Sequence, residues 1–185
     1  MSDAEDRQLL ERIARRDRLA FEAFFSAHAA AVHRFVRDLV RDEGLAEELT
    51  SDVMVEVWRH AARYGGRARV RTWLFGIAHH KAIDALRRRR LPTVPLDAVL
   101  DIASLLDGPE TTALRDADRA LLEDALRTLT PEHRAVLRLT YLEGFLQHEI
   151  AEIVAVPVAT VKTRAFYAKQ RLRDALAPAA EIEAS

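Results

Sequence analysis

The stretch QHEIAEIVAVPVATVKTRAFYAKQRLR, residues 147–173, decides how this chain is read. Glu149, Ile150, Ala151, Ile153 and Val154 are spaced as a short helix with an apolar face. Ala155, Val156 and Pro157 then interrupt it. A second helix follows, with Val161 and Ala165 turned inward and Lys162, Thr163, Arg164, Phe166, Tyr167 and Lys169 turned outward. Two helices joined by so short a break form a helix-turn-helix, whose second helix fits a DNA major groove. Residues 158–173 hold five Lys or Arg and no Asp or Glu, the bias needed for phosphates and base edges.

Composition bounds the rest. At 185 residues the chain makes one or two domains. Apolar residues at 49% suffice for buried cores, and six Gly with six Pro suit a mostly helical chain. The absence of Cys removes disulfides and thiolate metal sites. Residues 1–18 carry no apolar segment of the signal-peptide kind, and no apolar run approaches a membrane span. Seven scattered His and a lone Asp84 in a basic helix make no recognisable catalytic or metal centre. No cofactor or small-molecule ligand is expected, and a cytoplasmic location fits.

The net charge of −1 conceals a blocked distribution. Residues 38–56 hold seven acids against Arg41. Residues 59–90 hold ten bases against Asp84, and residues 92–118 hold six acids against Arg115. Separated signs suit a protein that meets both a basic protein surface and nucleic acid.

Residues 1–90 read as a helical domain. Phe21, Phe24, Phe25, His28, Val32, Phe35, Val36 and Leu39 form one stripe, with Asp17 as its cap. Gly44 is expected to break the chain. Leu45, Leu49, Val53, Met54, Val57 and Trp58 stripe the next helix, which Tyr64, Gly65 and Gly66 end. Residues 67–71 form a basic loop, and residues 72–89 a third helix capped by Thr72, with Trp73, Leu74, Ile77 and Ala78 toward the core. Residues 91–118 have no sustained period and contain Pro92, Pro95 and Pro109, which marks a linker. A second helical domain is expected over residues 119–177, with a strong helix start at Thr130, Pro131 and Glu132, and a tail over 178–185. The fold class is all-α: two small helical domains on a flexible linker.

Five segments in this order carry a family resemblance: AFEAFFSAHAAAVHRFV (20–36), AEELTSDVMVEVWR (46–59), RTWLFGIAHHKAIDALRRRR (71–90), LTPEHRAVLRLTYLEG (129–144) and VPVATVKTR (156–164). Over residues 10–176 the chain resembles the extracytoplasmic-function (group IV) sigma factors of bacterial RNA polymerase. The resemblance implies a sigma-2 bundle and a sigma-4 helix-turn-helix domain. It implies core polymerase as partner, through the clamp helices and the flap, promoter DNA in duplex and single-stranded form, and an anti-sigma factor. The residues matching the clamp-docking helix are Glu47, Glu48, Leu49, Thr50, Asp52, Val53, Glu56 and Trp58. Leu49, Val53 and Trp58 serve equally well as core packing on period alone. Tyr64, Arg67, Arg69, Arg71, His80, Lys81, Arg87 and Arg88 match the surface that holds unpaired −10 bases, with Arg89 and Arg90 beyond them. Trp73 and Phe75 are possible stacking residues, although the period of Trp73 favours the core. Thr160, Lys162, Thr163, Arg164, Phe166, Tyr167, Lys169 and Arg171 match the −35 reader, and Arg134 and Arg138 are candidates for added phosphate contacts. Asp97, Asp101 and Asp107 match a linker that threads the polymerase channel, or else belong to a solvated tether.

Departures from the family pattern bear on promoter choice. His80 stands where Asn is common, and Tyr167 where Arg, the strongest guanine reader, is common. Ala155 and Ala159 stand where Gly is usual, so a left-handed Ala155 costs on the order of 1–2 kcal/mol. Leu146 replaces the usual Ser cap, a loss of about 1 kcal/mol. The rival reading is a dimeric helix-turn-helix regulator acting without polymerase, but no dedicated dimerisation helix is visible.

Overall fold

The structure, a computed structural model, describes residues 2–90, 125, 126 and 128–183. Among these residues the chain is helical and without strands, in line with its low Gly and Pro content. The first lobe comprises α1 (Asp3–Ala14), α2 (Arg18–Val40), α3 (Glu43–His60), a 3₁₀ turn (Ala61–Arg63) and α4 (Val70–Arg90). The second comprises α5 (Pro131–Tyr141), α6 (Gln147–Ile153) and α7 (Val158–Glu183). The expected linker, with Asp97, Asp101 and Asp107, lies outside the described residues. The last helix continues to Glu183, through the stretch expected as a tail.

Helix starts follow local chemistry. Asp17 accepts the Ala20 amide at 3.1 Å and opens α2, as its position predicts. Thr130 caps α5 with Pro131 in the first turn. Two expectations fail. The α2–α3 break comes at Arg41, which turns left-handed at φ 55°, and Asp42 then caps α3 through the Leu45 amide at 2.9 Å. Gly44 therefore sits inside the first turn of α3 rather than at the break. Thr72 does not cap α4. That helix begins at Val70, whose amide donates to Asp3 of α1 at 2.8 Å, a cap supplied from 67 residues away.

The first lobe packs around Leu10, Ile13, Phe24, Phe35, Leu39, Met54, Leu74 and Phe75, all fully buried. Each such side chain stabilises the fold by about 1.5–3 kcal/mol. His28 lies on the buried stripe, and Asp6 satisfies its Nε2 at 2.7 Å. Phe75 is no stacking residue for DNA. It is wholly buried between Phe35, with ring centroids 5.2 Å apart, and Phe145 at 5.1 Å. Trp73 is half-buried and packs on Tyr64 at 5.5 Å.

The lobes do not stand apart. Helix α5 packs on α2 and α6 packs on α4, and one hydrophobic core runs through both lobes. Gly144, at φ 69°, lets the chain reverse after α5, and Phe145 is thereby inserted against Phe75.

Candidate nucleic-acid interface

Helix α7 presents the expected reading face. Val161 and Ala168 are fully buried, and Ala165 is partly buried against the core. Helical spacing therefore turns Lys162, Thr163, Phe166, Tyr167, Lys169 and Arg171 to solvent, while Thr160 and Arg164 are half-covered. Phe166 is 64% and Tyr167 52% exposed, with their rings in edge contact at 5.6 Å. Two large aromatics beside cations, without a protein cover, suit base edges, thymine methyls or an apolar partner. Lys169 lies 5.1 Å over the ring of exposed Tyr141, and Arg171 donates to the Thr128 carbonyl at 3.3 Å. The turn before α7 contains Ala155 at φ 52°, the strained conformation expected there. Leu146 caps α6 with no side-chain acceptor. The Glu149 carboxylate supplies half the missing chemistry by accepting the Leu146 amide at 2.9 Å.

The loop between the 3₁₀ turn and α4 holds the other basic set. Tyr64 donates its hydroxyl proton to the Ala68 carbonyl at 2.5 Å, and Gly66 takes φ 67°. Arg67 and His80 face solvent. Arg71 is half-buried, whereas the side chain of Arg69 stays 59% exposed. Arg69 lies 3.4 Å from Glu149, and Arg71 3.0 Å from Glu143. Arg71 is also stacked over the rings of Phe75 at 5.6 Å and Phe145 at 5.0 Å. Lys81 reaches Asp52 of α3 at 3.6 Å, and Arg87 lies 3.6 Å from Asp84 on the exposed end of α4. Arg88 is exposed, and Arg89 is tied to Asp42 at 2.7 Å. Between α3, α4 and α6 runs a groove of about 600 Å³, lined in part by Glu56, Trp73, His80, Lys81, Asp84 and Glu152.

Helix α3 separates its residues cleanly. Glu47, Glu48 and Asp52 are exposed and Glu56 is half-exposed. Leu49 is 3% and Val53 0% exposed, so these two belong to the core and are corrected from partner contacts to packing. Thr50 is likewise buried, and donates to the Ala46 carbonyl at 2.7 Å. Trp58 is half-buried, edge-on to Phe21 at 5.2 Å. Two outward residues beside the acids, Ser51 and 43%-exposed Val55, were missed. Ser51, four residues from Glu47 and three from Glu48, and Val55, three from Asp52, share their helix face, which was the available signal.

Arg138 is no phosphate contact. It is 7% exposed and bonded to Asp38 of α2. Arg134 is half-buried and donates to the Leu39 carbonyl at 3.4 Å. Burial pushes Asp38 up to about 6 despite the pull of Arg138. Burial pushes His79, the neighbour of His80 on α4, down to about 4, helped by His80 and by Arg164 of α7.

Comparisons with known proteins agree with this geometry. Residues 24–91 match the family model for sigma-70 region 2, and residues 125–174 match that for sigma-70 region 4. The ECF RNA polymerase sigma factor SigK of Mycolicibacterium vanbaalenii is 31% identical over 164 residues, covering 87% of this chain and 84% of the relative. Among solved structures, CnrH in complex with the cytosolic domain of CnrY superposes with a TM-score of 0.69 at 23% identity, over 94% of this chain and 98% of the other. The sigma factor RpoE in complex with the anti-sigma factor NepR, from Bartonella quintana, gives 0.68 at 22% identity, over 84% and 96%.

Proposed function

We infer that this chain, which belongs to the ECF RNA polymerase sigma factors, is a promoter-specificity subunit that directs core RNA polymerase to its start sites and aids opening of the −10 element. Catalysis belongs to the polymerase, and the sigma subunit contributes binding energy alone. It works beside the polymerase in the cytoplasm, and among the described residues no helix is long and apolar enough to cross a membrane.

One observation carries the assignment of surfaces: the outward face of α3 is acidic while the outward face of α7 is basic and aromatic. Glu47, Glu48, Asp52 and Glu56 offer carboxylates to the clamp helices of core polymerase, with Val55 and Ser51 between them. Thr160, Lys162, Thr163, Arg164, Phe166 and Tyr167 read the −35 duplex from the major groove, and Lys169 and Arg171 hold its backbone. Tyr64, Arg67, Arg69, Arg71, His80 and Lys81 receive the unpaired −10 strand, with Arg87 and Arg88 toward its phosphates. The domain boundaries follow: residues 1–90 for polymerase and −10, 91–118 as linker, and 119–177 for −35. A protein inhibitor is a further partner, as NepR is for RpoE.

Run-off transcription with purified core polymerase over a promoter library tests this reading. Addition of the chain should create new start sites whose upstream sequences share two elements. Transcripts identical to those of core polymerase alone would refute it.

A further inference from the structure

Helix α1 precedes the region-2 match, which begins at residue 24, and none of the three proposed surfaces includes it. It is nevertheless fixed firmly to the first lobe. Ser2 and Glu5 close a capping box at its start. Leu10 and Ile13 are fully buried, and Asp6, itself buried, meets His28 of α2 at 2.7 Å. With that side of the helix anchored, Asp3 and Arg7, one turn apart, fall on the side of the basic loop.

The carboxylate of Asp3 joins two elements. Its Oδ1 accepts the amide of Val70, the first residue of α4, at 2.8 Å, and its Oδ2 accepts Arg7 Nε at 2.8 Å. The Arg7 guanidinium lies 6.0 Å over the ring of Tyr64, at the other end of the loop. Left-handed Gly66, between them, also has Arg7 beside it: a side chain added there would start 3.8 Å from Nη1. Asp3 and Arg7 thus clasp both ends of residues 64–70.

The composition of the loop makes such a clasp matter. Residues 64–69 form no helix or strand and include Gly65 and Gly66. A glycine-containing loop loses backbone freedom when it closes on a ligand, and holding it beforehand in one shape raises affinity without adding a contact. The Asp3–Arg7 pair, with side chains 26% and 43% exposed, adds little stability of its own. Loss of Arg7 therefore removes the clasp and leaves the fold.

We propose that Asp3 and Arg7 are positioning residues for −10 recognition: by clasping Val70 and Tyr64 they hold the loop between them in the shape that receives an unpaired base. This rests on the reading of Tyr64, Arg67 and Arg69 as −10 contacts. Neither Asp3 nor Arg7 needs to touch the strand.

The test uses holoenzyme assembled from the full chain and core polymerase. The probe is fluorescent promoter DNA with a duplex −35 element and a single-stranded −10 strand, its sequence taken from run-off transcription. A set of such probes carries one abasic site at each −10 position in turn, and affinity is read by anisotropy at fixed salt. In the parent, at least one abasic site should weaken binding by about tenfold, as loss of one held base does. In Asp3→Ala and Arg7→Met that penalty should fall to about threefold or less, because a slack loop no longer distinguishes the base from a gap. Gln8→Ala, at an exposed position on the same helix, should keep the parent's penalty. A loss of stability alone would weaken intact and abasic probes alike and leave their ratio unmoved. Circular dichroism checks folding, and if Asp3→Ala loses helix, Arg7→Met decides alone. A penalty equal to the parent's in Arg7→Met or in folded Asp3→Ala, or one reduced as far in Gln8→Ala, overturns the proposal and leaves the −10 reading intact. No penalty at any position in the parent overturns both together.

Discussion

Arg138 of α5 and Asp38 of α2 meet across the boundary between the lobes, with side chains 8% and 7% exposed. Two charges so nearly removed from water offset their desolvation only while both are present. While the lobes stay joined, loss of either partner would leave the other charge buried without its counter-ion.

Removing one partner should be costly. Arg138→Ala or Asp38→Ala is expected to destabilise the joined lobes by about 3–5 kcal/mol, whereas Asp38→Leu combined with Arg138→Met should be near neutral. Thermal unfolding together with small-angle scattering distinguishes loss of fold from loss of docking. If both single variants keep the compact radius and melting temperature of the parent, the pair contributes nothing.

Two buried groups pull stability in opposite directions as pH changes. His79 is held at about 4 against an ordinary 6.5, so its contribution is fully present above 6.5 and is lost as pH falls through 4. Asp38 is raised to about 6 from 3.8, so its contribution is fully present below 3.8 and is lost as pH rises through 6. His79→Asn removes the first effect and leaves the second. The melting temperature at about pH 5, relative to about pH 7, should be higher in this variant than in the parent. An equal or larger acid loss would mean that His79 is charged or exposed in the fold.

Two residues of the helix-turn-helix are poorly matched to their backbone. Ala155→Gly relieves the left-handed strain, and Leu146→Ser restores a capping oxygen at an exposed position. Each should stabilise by about 1 kcal/mol, a rise of a few degrees in melting temperature by calorimetry. Destabilisation by Leu146→Ser would show that Leu146 packs against something in the free chain.

The reading helix makes a prediction in salt. Lys162→Ala should weaken −35 duplex binding evenly across sequences and lower the slope of log affinity against log salt by about 1. Arg164→Ala should also weaken binding, and if it touches a base it should relax preference at one position by about 1–3 kcal/mol. Unchanged affinity in both would remove α7 from the interface.

Much of this organisation was readable from the chain. The stripe through Phe24, His28, Val32, Phe35 and Leu39 is buried as its spacing requires, and the 147–173 stretch folds as expected. Phe25 on the same helix is 44% exposed, because a stripe that wide outruns the surface available to cover it. The turn at Arg41 was not legible, since nothing in an Arg side chain announces a left-handed backbone, whereas Gly44 nearby does so misleadingly. The joining of the lobes was also hidden. Periodicity says which face of a helix is apolar but not which other face it meets. Arg138 and Glu143 look in sequence like solvated charges, and only the fold turns them toward Asp38 and Arg71.

Glu149 divides its labour between its two oxygens. Oε2 accepts the Leu146 amide within its own helix start, and Oε1 points across to Arg69 and Thr72. The start of α6 is thus held from within the second lobe, even though that lobe shares its apolar core with the first. A single carboxylate thereby ties the geometry of the turn ahead of the reading helix to the basic loop of the other lobe, so a change at position 149 is felt at both.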